Sequence, residues 1–128
     1  MHKGFLRTAA LIGALSMILG AFAAHGLKEK LAPDMLAVFE TAVRYQVYHV
    51  FALLAVGIVY ASFPFNAMKW AGYLFITGMI LFCGSLYLLC YVKFERIDAD
   101  WIGAITPFGG AAFIAGWVMF FLGVGKRN

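Results

Sequence analysis

The chain has 128 residues, of which 64% are hydrophobic and 12% charged. Soluble domains are roughly 45–50% apolar and about 25% charged, and one core of this size cannot hide the excess, so a soluble globular domain is excluded and lipid must solvate much of the surface. The formal charge of +4 comes from Lys and Arg spread along the chain rather than set in a stripe, which speaks against a nucleic-acid partner.

The first apolar run, about 8–24, follows Lys3 and Arg7. Its basic start and Ala21-Phe22-Ala23 look like a cleavable signal. However, Ala9, Gly13, Gly20 and Ala24 recur on one helical face, as packed membrane helices require, and this predicts a retained span. Gly26 then suits a C-terminal cap. Pro33 and Asp34 suit a helix start, with proline in the first turn and an acid near the positive dipole end. Met35, Phe39, Ala42, Val43 and Val47 recur at helical spacing, which predicts an interfacial amphipathic helix over about 33–47 leading into a second span, about 48–63. A short loop with Pro64 and Asn66 precedes a third span, about 70–92. The charged loop Lys93–Asp100 precedes a fourth, about 101–124, with Asp98 or Asp100 as its expected cap.

Each run is near the roughly 17–25 residues that cross hydrocarbon as helix. Helix is required, because lipid offers no partner to free backbone groups. Aromatic residues, among them Tyr45, Tyr48, Trp70, Tyr91 and Trp101, sit near the run ends, where rings settle at the headgroup level. The expected fold is all-α: residues 1–128 form a single integral membrane four-helix bundle, with the amphipathic helix between spans one and two.

Orientation rests on basic residues. One side carries Lys3, Arg7, Lys69, Lys126 and Arg127, and the other Lys28, Lys30, Arg44, Lys93 and Arg96. Arg44 lies four residues after Glu40, where the two can pair. Discounting it places both termini in the cytoplasm. The cysteines, Cys83 and Cys90, are separated by about 10.5 Å of helical rise, too far for a disulfide. No Cys/His spacing suggests zinc, so both read as small packing residues, and no metal or cofactor is expected.

Three places break the apolar pattern. His25 stands where the first helix leaves the membrane and can simply cap the last carbonyls. In the second, Tyr45, Gln46 and His49 share one helix face beside Glu40 and Arg44. Polar groups at membrane depth rarely face lipid, so this face holds either interhelical hydrogen bonds or a site. The third is Gly103-Ala104-Ile105-Thr106-Pro107-Phe108-Gly109-Gly110. Pro107 removes a helix hydrogen bond, and Gly109 and Gly110 follow, so a kink or unwound segment is expected, serving packing or binding. Gly84 and Ser85 centre a further small-residue patch in the third span, and Gly103 completes the expected packing set with Gly13, Gly20 and Ala24. The closing arrangement expected is His49, Tyr45 and Gln46 turned inward, meeting His25 and Thr106.

Gly20–Leu27, Thr41–His49, Phe82–Tyr87, Gly103–Gly110 and Gly116-Trp117 together resemble the motifs of the YgdD/YwdK-like family of small bacterial inner-membrane proteins, which read GAFGAHGL, TxxxYQxxH, FSGSLY, GAITPxGG and a Gly-Trp pair. Ala23 and Cys83 depart from that pattern, each small for small. The resemblance implies four spans, a bacterial plasma-membrane location and a role in envelope support, and it brings no catalytic activity.

The sequence contains no legible nucleophile–base pair, so the leading expectation is a non-enzymatic module that supports envelope integrity or membrane-protein assembly. Its partners would be the lipid bilayer and a second copy of itself or other membrane proteins. A transporter component with a path lined by the second and fourth helices is the alternative. A haem or metal protein using His25 and His49 is a third.

Overall fold

The computed structural model describes residues 1–126; Arg127, which enters the charge argument above, and Asn128 lie outside the described residues. Helix α1, Lys3–Phe22, starts on His2, whose ring Nδ1 accepts the Phe5 N–H at 3.1 Å. It widens at its end into a π turn, Ala23–Leu27. Helix α2, Pro33–Val59, has proline in its first turn and Asp34 beside it. Helix α3, Asn66–Gly78, passes through a second π turn, Met79–Cys83, into α4, Gly84–Phe94. A 3-10 turn, Asp100–Ala104, leads into α5, Thr106–Gly125. The resulting stretches Lys3–Leu27, Pro33–Val59, Asn66–Phe94 and Asp100–Gly125 are the four long apolar helices, of 25, 27, 29 and 26 residues, each enough to cross hydrocarbon.

Several boundaries differ from the sequence reading. The stretch 33–47 is helical and runs unbroken into the second span, because no Gly or Pro occurs between Asp34 and Val56. That helix stops at Val59 instead of residue 63, where turn bonds to the carbonyls of Ile58 and Val59 lead to Pro64. Gly26 is no left-handed cap, since no glycine has positive φ. It lies in the π turn, where a Cβ would stand 2.7 Å from the Phe22 ring. Neither Asp98 nor Asp100 caps a helix; Asp100 instead takes the Lys93 ammonium at 2.7 Å. Pro107 makes no kink, because it falls in the first turn of α5, where its missing N–H has no helical acceptor to lose. The break lies before it, at Ile105 between the 3-10 turn and α5.

Packing depends on phenylalanine set into glycine. A Cβ added at Gly72 would overlap the Phe5 ring, and one at Gly78 the Phe113 ring; one at Gly116 would come within 2.7 Å of the Phe75 ring. Gly109 lies against the Phe82 backbone so closely that no side chain fits. These notches bring α3 and α5 together along the most extensive interface of the bundle, while α1 packs chiefly on α2. The main core gathers Phe5, Leu53, Val56, Met68, Phe75 and Phe113. A smaller core of Ala23, Phe39 and Cys90 lies apart from it. Leu11, Met17, Ile80, Ile114 and Phe121 are exposed on the outside, as lipid-facing residues are.

Of the expected packing residues, Gly13 and Gly20 touch α2, their Cβ positions standing 3.4 Å from Val50 and 3.6 Å from Val43. Ala24 does not belong to that face. It is exposed, and Ala23, one position earlier, is the buried residue. Gly84 and Gly103 have nothing within 4 Å of a Cβ position, so neither is a packing glycine. Gly110 reaches Phe82 only at 4.0 Å, an ordinary contact.

Candidate functional site

The buried polar side chains belong to three hydrogen-bonded groups. In the first, the Ser16 hydroxyl donates to the Ile12 carbonyl at 2.7 Å and accepts the Gln46 amide N–H at 2.9 Å. The Gln46 carbonyl oxygen accepts the Tyr87 hydroxyl at 2.7 Å. One glutamine on α2 thus ties the first span to the third. Ser16 and Gln46 are 2% and 4% exposed, where an unpaired polar head would cost far more than the bond gains.

The second group centres on His49. Its ring lies flat on Phe113, with centroids 3.6 Å apart and planes inclined by 9°. The Trp117 indole N–H points at Nε2 from 3.2 Å. Indole can only donate, so Nε2 carries the lone pair. Nδ1 then holds the proton and donates to the Tyr45 carbonyl at 2.7 Å. This is the neutral Nδ1–H tautomer, with both nitrogens engaged, and it fastens α2 to α5.

The third group joins the third and fourth spans. The Ser85 hydroxyl donates to the Phe82 carbonyl at 2.9 Å, and the Thr106 hydroxyl shares a 2.6 Å bond with the Ser85 hydroxyl oxygen. With the serine proton committed to Phe82, Thr106 is the donor. Phe82 lies in the π turn, where widening leaves carbonyls short of partners. Among the described residues, no buried side-chain nitrogen or oxygen lacks a partner.

The residues expected to converge are thus divided. Gln46 and His49 are buried on the inner face of α2. Tyr45 is 38% exposed and meets Tyr48 and Phe82 edge-on. Glu40 and Arg44 are exposed and make no ion pair, the Lys93–Asp100 bridge being the only one among the described residues. His25 is exposed and has no side-chain hydrogen bond among the described residues, whereas His49 turns to Trp117 and Phe113. The π turn explains the separation, because it carries His25 round to the outer surface while Ala23 faces inward. Thr106 bonds Ser85, not His49.

Ser16 was absent from the sequence reading, and Trp117 entered it only through the Gly116-Trp117 pair, not as a partner of His49. Ser16 falls on the stripe Ala9, Gly13, Gly20 at i+3 and i+4 steps, so its spacing was a usable signal. Trp117 is one helical turn from Phe113, but only the fold shows that both meet His49.

Chemically the groups are hydroxyls, an amide and a neutral imidazole that satisfy one another. The hydroxyls of Ser16 and Ser85 donate to backbone carbonyls and that of Thr106 to Ser85, so none faces a base. Cys83 and Cys90 are buried free thiols, and Cys90 Sγ rests 3.4 Å from the Met35 carbonyl. No three His, Cys, Asp or Glu side chains come together as a ligand set among the described residues.

This architecture defines a four-span membrane bundle closed by internal hydrogen bonds. The chain belongs to the family described as "Protein of unknown function (DUF423)", which it matches over residues 19–110. It is 44% identical over 124 residues to the UPF0382 membrane protein SSP2132 of Staphylococcus saprophyticus, covering 97% of this chain and 98% of that one. It is 40% identical over 124 residues to the UPF0382 membrane protein SAB0533 of Staphylococcus aureus, covering 97% of each. With the UPF0382 membrane protein YwdK of Bacillus subtilis it shares 38% identity over 118 residues, 91% of this chain and 92% of that one. No solved structure matches the chain.

Proposed function

We propose that this protein is a non-catalytic module of the bacterial plasma membrane, with both termini in the cytoplasm, that supports envelope integrity or the assembly of other membrane proteins. The observation that carries this reading is the closure of the interior: Ser16–Gln46–Tyr87, Trp117–His49–Tyr45 and Thr106–Ser85–Phe82 each use their donors internally. Such groups lock helices in place and leave no side chain poised to attack or to relay a proton.

A transport path along the second and fourth helices receives less support. Gln46 bonds to spans one and three, and Phe75 and Phe113 pack on the His49 ring, so these polar groups are engaged by protein partners. A haem or metal centre on His25 and His49 is likewise disfavoured, because Trp117 already occupies the Nε2 lone pair.

The test is a deletion strain carrying the gene or a Gln46→Leu variant on a plasmid, challenged with detergent and osmotic shock. Increased lysis on deletion, restored by the intact gene, is expected. Normal survival of the deletion strain, or specific saturable solute flux in proteoliposomes, would overturn the reading. Reporter fusions after Asn128 and beside Lys30 should report opposite sides, the first cytoplasmic.

A further inference from the structure

At the end of the bundle bearing the loops 28–32 and 95–99, the first and third spans stand apart over α2. A groove of about 330 Å³ opens between them. Phe39 and Cys90, both buried, form its floor; Leu27 and Leu31 line one wall, and Tyr91 and Phe94 the other. This volume falls at the low end of small-molecule pockets, and the lining is that of an acyl-chain site.

The rim carries the specificity. Lys30 and Glu95 are its charged residues, both exposed. Neither forms an ion pair among the described residues, in contrast to neighbouring Lys93, which Asp100 holds at 2.7 Å. Lys30 lies just beyond Leu27, where the first span ends, and Glu95 just beyond Phe94, where the third ends. Charges at the ends of spans stand at the headgroup level. One positive and one negative group, on the rim of one apolar slot and not paired with each other, complement a zwitterion on a hydrocarbon tail.

We propose that this groove binds a zwitterionic aminophospholipid, with one acyl chain between the spans, its phosphate at Lys30 and its ammonium at Glu95. Of the three hydrogen-bonded groups only Tyr87 reaches this groove, and the site does not depend on the proposed cellular role. The π turn Ala23–Leu27 sets one wall, since it carries Leu27 toward the groove. Wider turns of this kind recur at functional positions in helices.

Native mass spectrometry of the detergent-purified full chain, titrated separately with phosphatidylethanolamine and phosphatidylglycerol, tests the assignment. One saturable phosphatidylethanolamine adduct per chain is expected, tighter than the phosphatidylglycerol adduct. Glu95→Gln should weaken phosphatidylethanolamine alone by about fivefold, the effect of one exposed charge pair. Lys30→Gln should weaken both lipids, and Leu31→Trp should fill the groove and abolish the adduct. The two charge changes lie on exposed side chains, so they decide the matter even if Leu31→Trp fails to fold. No saturable adduct, equal or tighter binding of phosphatidylglycerol, or phosphatidylethanolamine binding indifferent to Lys30→Gln and Glu95→Gln would overturn the proposal.

Discussion

At the end of the bundle that carries the termini, the chain is tied down at every level. The His2 N–H donates to the Gly57 carbonyl at 2.9 Å, its ring stacks on Phe5 at 3.8 Å, and Phe5, 2% exposed, seats in the notch left by Gly72. At the opposite end the same device is built loosely. Phe22 covers Gly26, but this ring is 49% exposed and can swing into lipid. The small core beneath it leaves a groove open beside it. The contrast teaches that a phenylalanine over a glycine stabilises only when the ring has nowhere else to go. One end of the molecule is a clamp, and the other is free to receive something.

The largest effect should come from the seam between α5 and the third span, away from both ends compared above, where Gly109→Ala places a methyl group against the Phe82 backbone. Backbone cannot give way, so α5 must separate from the third span. A loss of about 3 kcal/mol or more is expected in detergent-titration unfolding, and a loss below about 1 kcal/mol would show that the seam is softer than described. Gly72→Ala comes next, at about 1–3 kcal/mol, because the enclosed Phe5 ring has to shift; thermal denaturation followed by circular dichroism would register it. Between the two ends, Gln46→Leu removes the bonds to Ser16 and Tyr87. About 1–2 kcal/mol is expected, in the range of interhelical hydrogen bonds in membranes. The smallest effect should come from Gly26→Ala, below about 0.5 kcal/mol in the same melting assay, since Phe22 can rotate away. Equal losses from Gly26→Ala and Gly72→Ala would erase the distinction between the ends.

The spans were legible because lipid leaves so few choices. Long apolar runs must be helices, and Thr8, Trp70 and Val124 all fall within the helices observed. The inward turn of Gln46 and His49 was legible for the same reason: their polar heads cannot face hydrocarbon. Which helix each would meet was not. His49 was expected to meet His25 and Thr106, whereas it meets Trp117. The phase of a helix face can be read only while the turn stays at 3.6 residues, and the π turns at Ala23–Leu27 and Met79–Cys83 alter it. Gly84 and Gly103 were misread because small size alone does not show that a neighbour approaches. Pro107 was placed mid-helix because apolar composition hides the turn at Asp100–Ala104, which looks like more membrane span.

The π turn at Met79–Cys83 also fixes how long the third span has to be. Phe75 and Gly78 before it, and Ser85 after it, all address α5 or its entry. A π turn holds one residue more than the α turn it replaces. Removing one residue from Met79–Cys83 would restore a regular helix with its halves nearly in phase, whereas adding one would rotate one half against the other by about 100°. Either the Phe75 and Gly78 face or the Ser85–Thr106 bond would then be out of step. A residue gained or lost in the loop after Val59 is absorbed by a turn at the surface, whereas within this span chain length itself carries structural information.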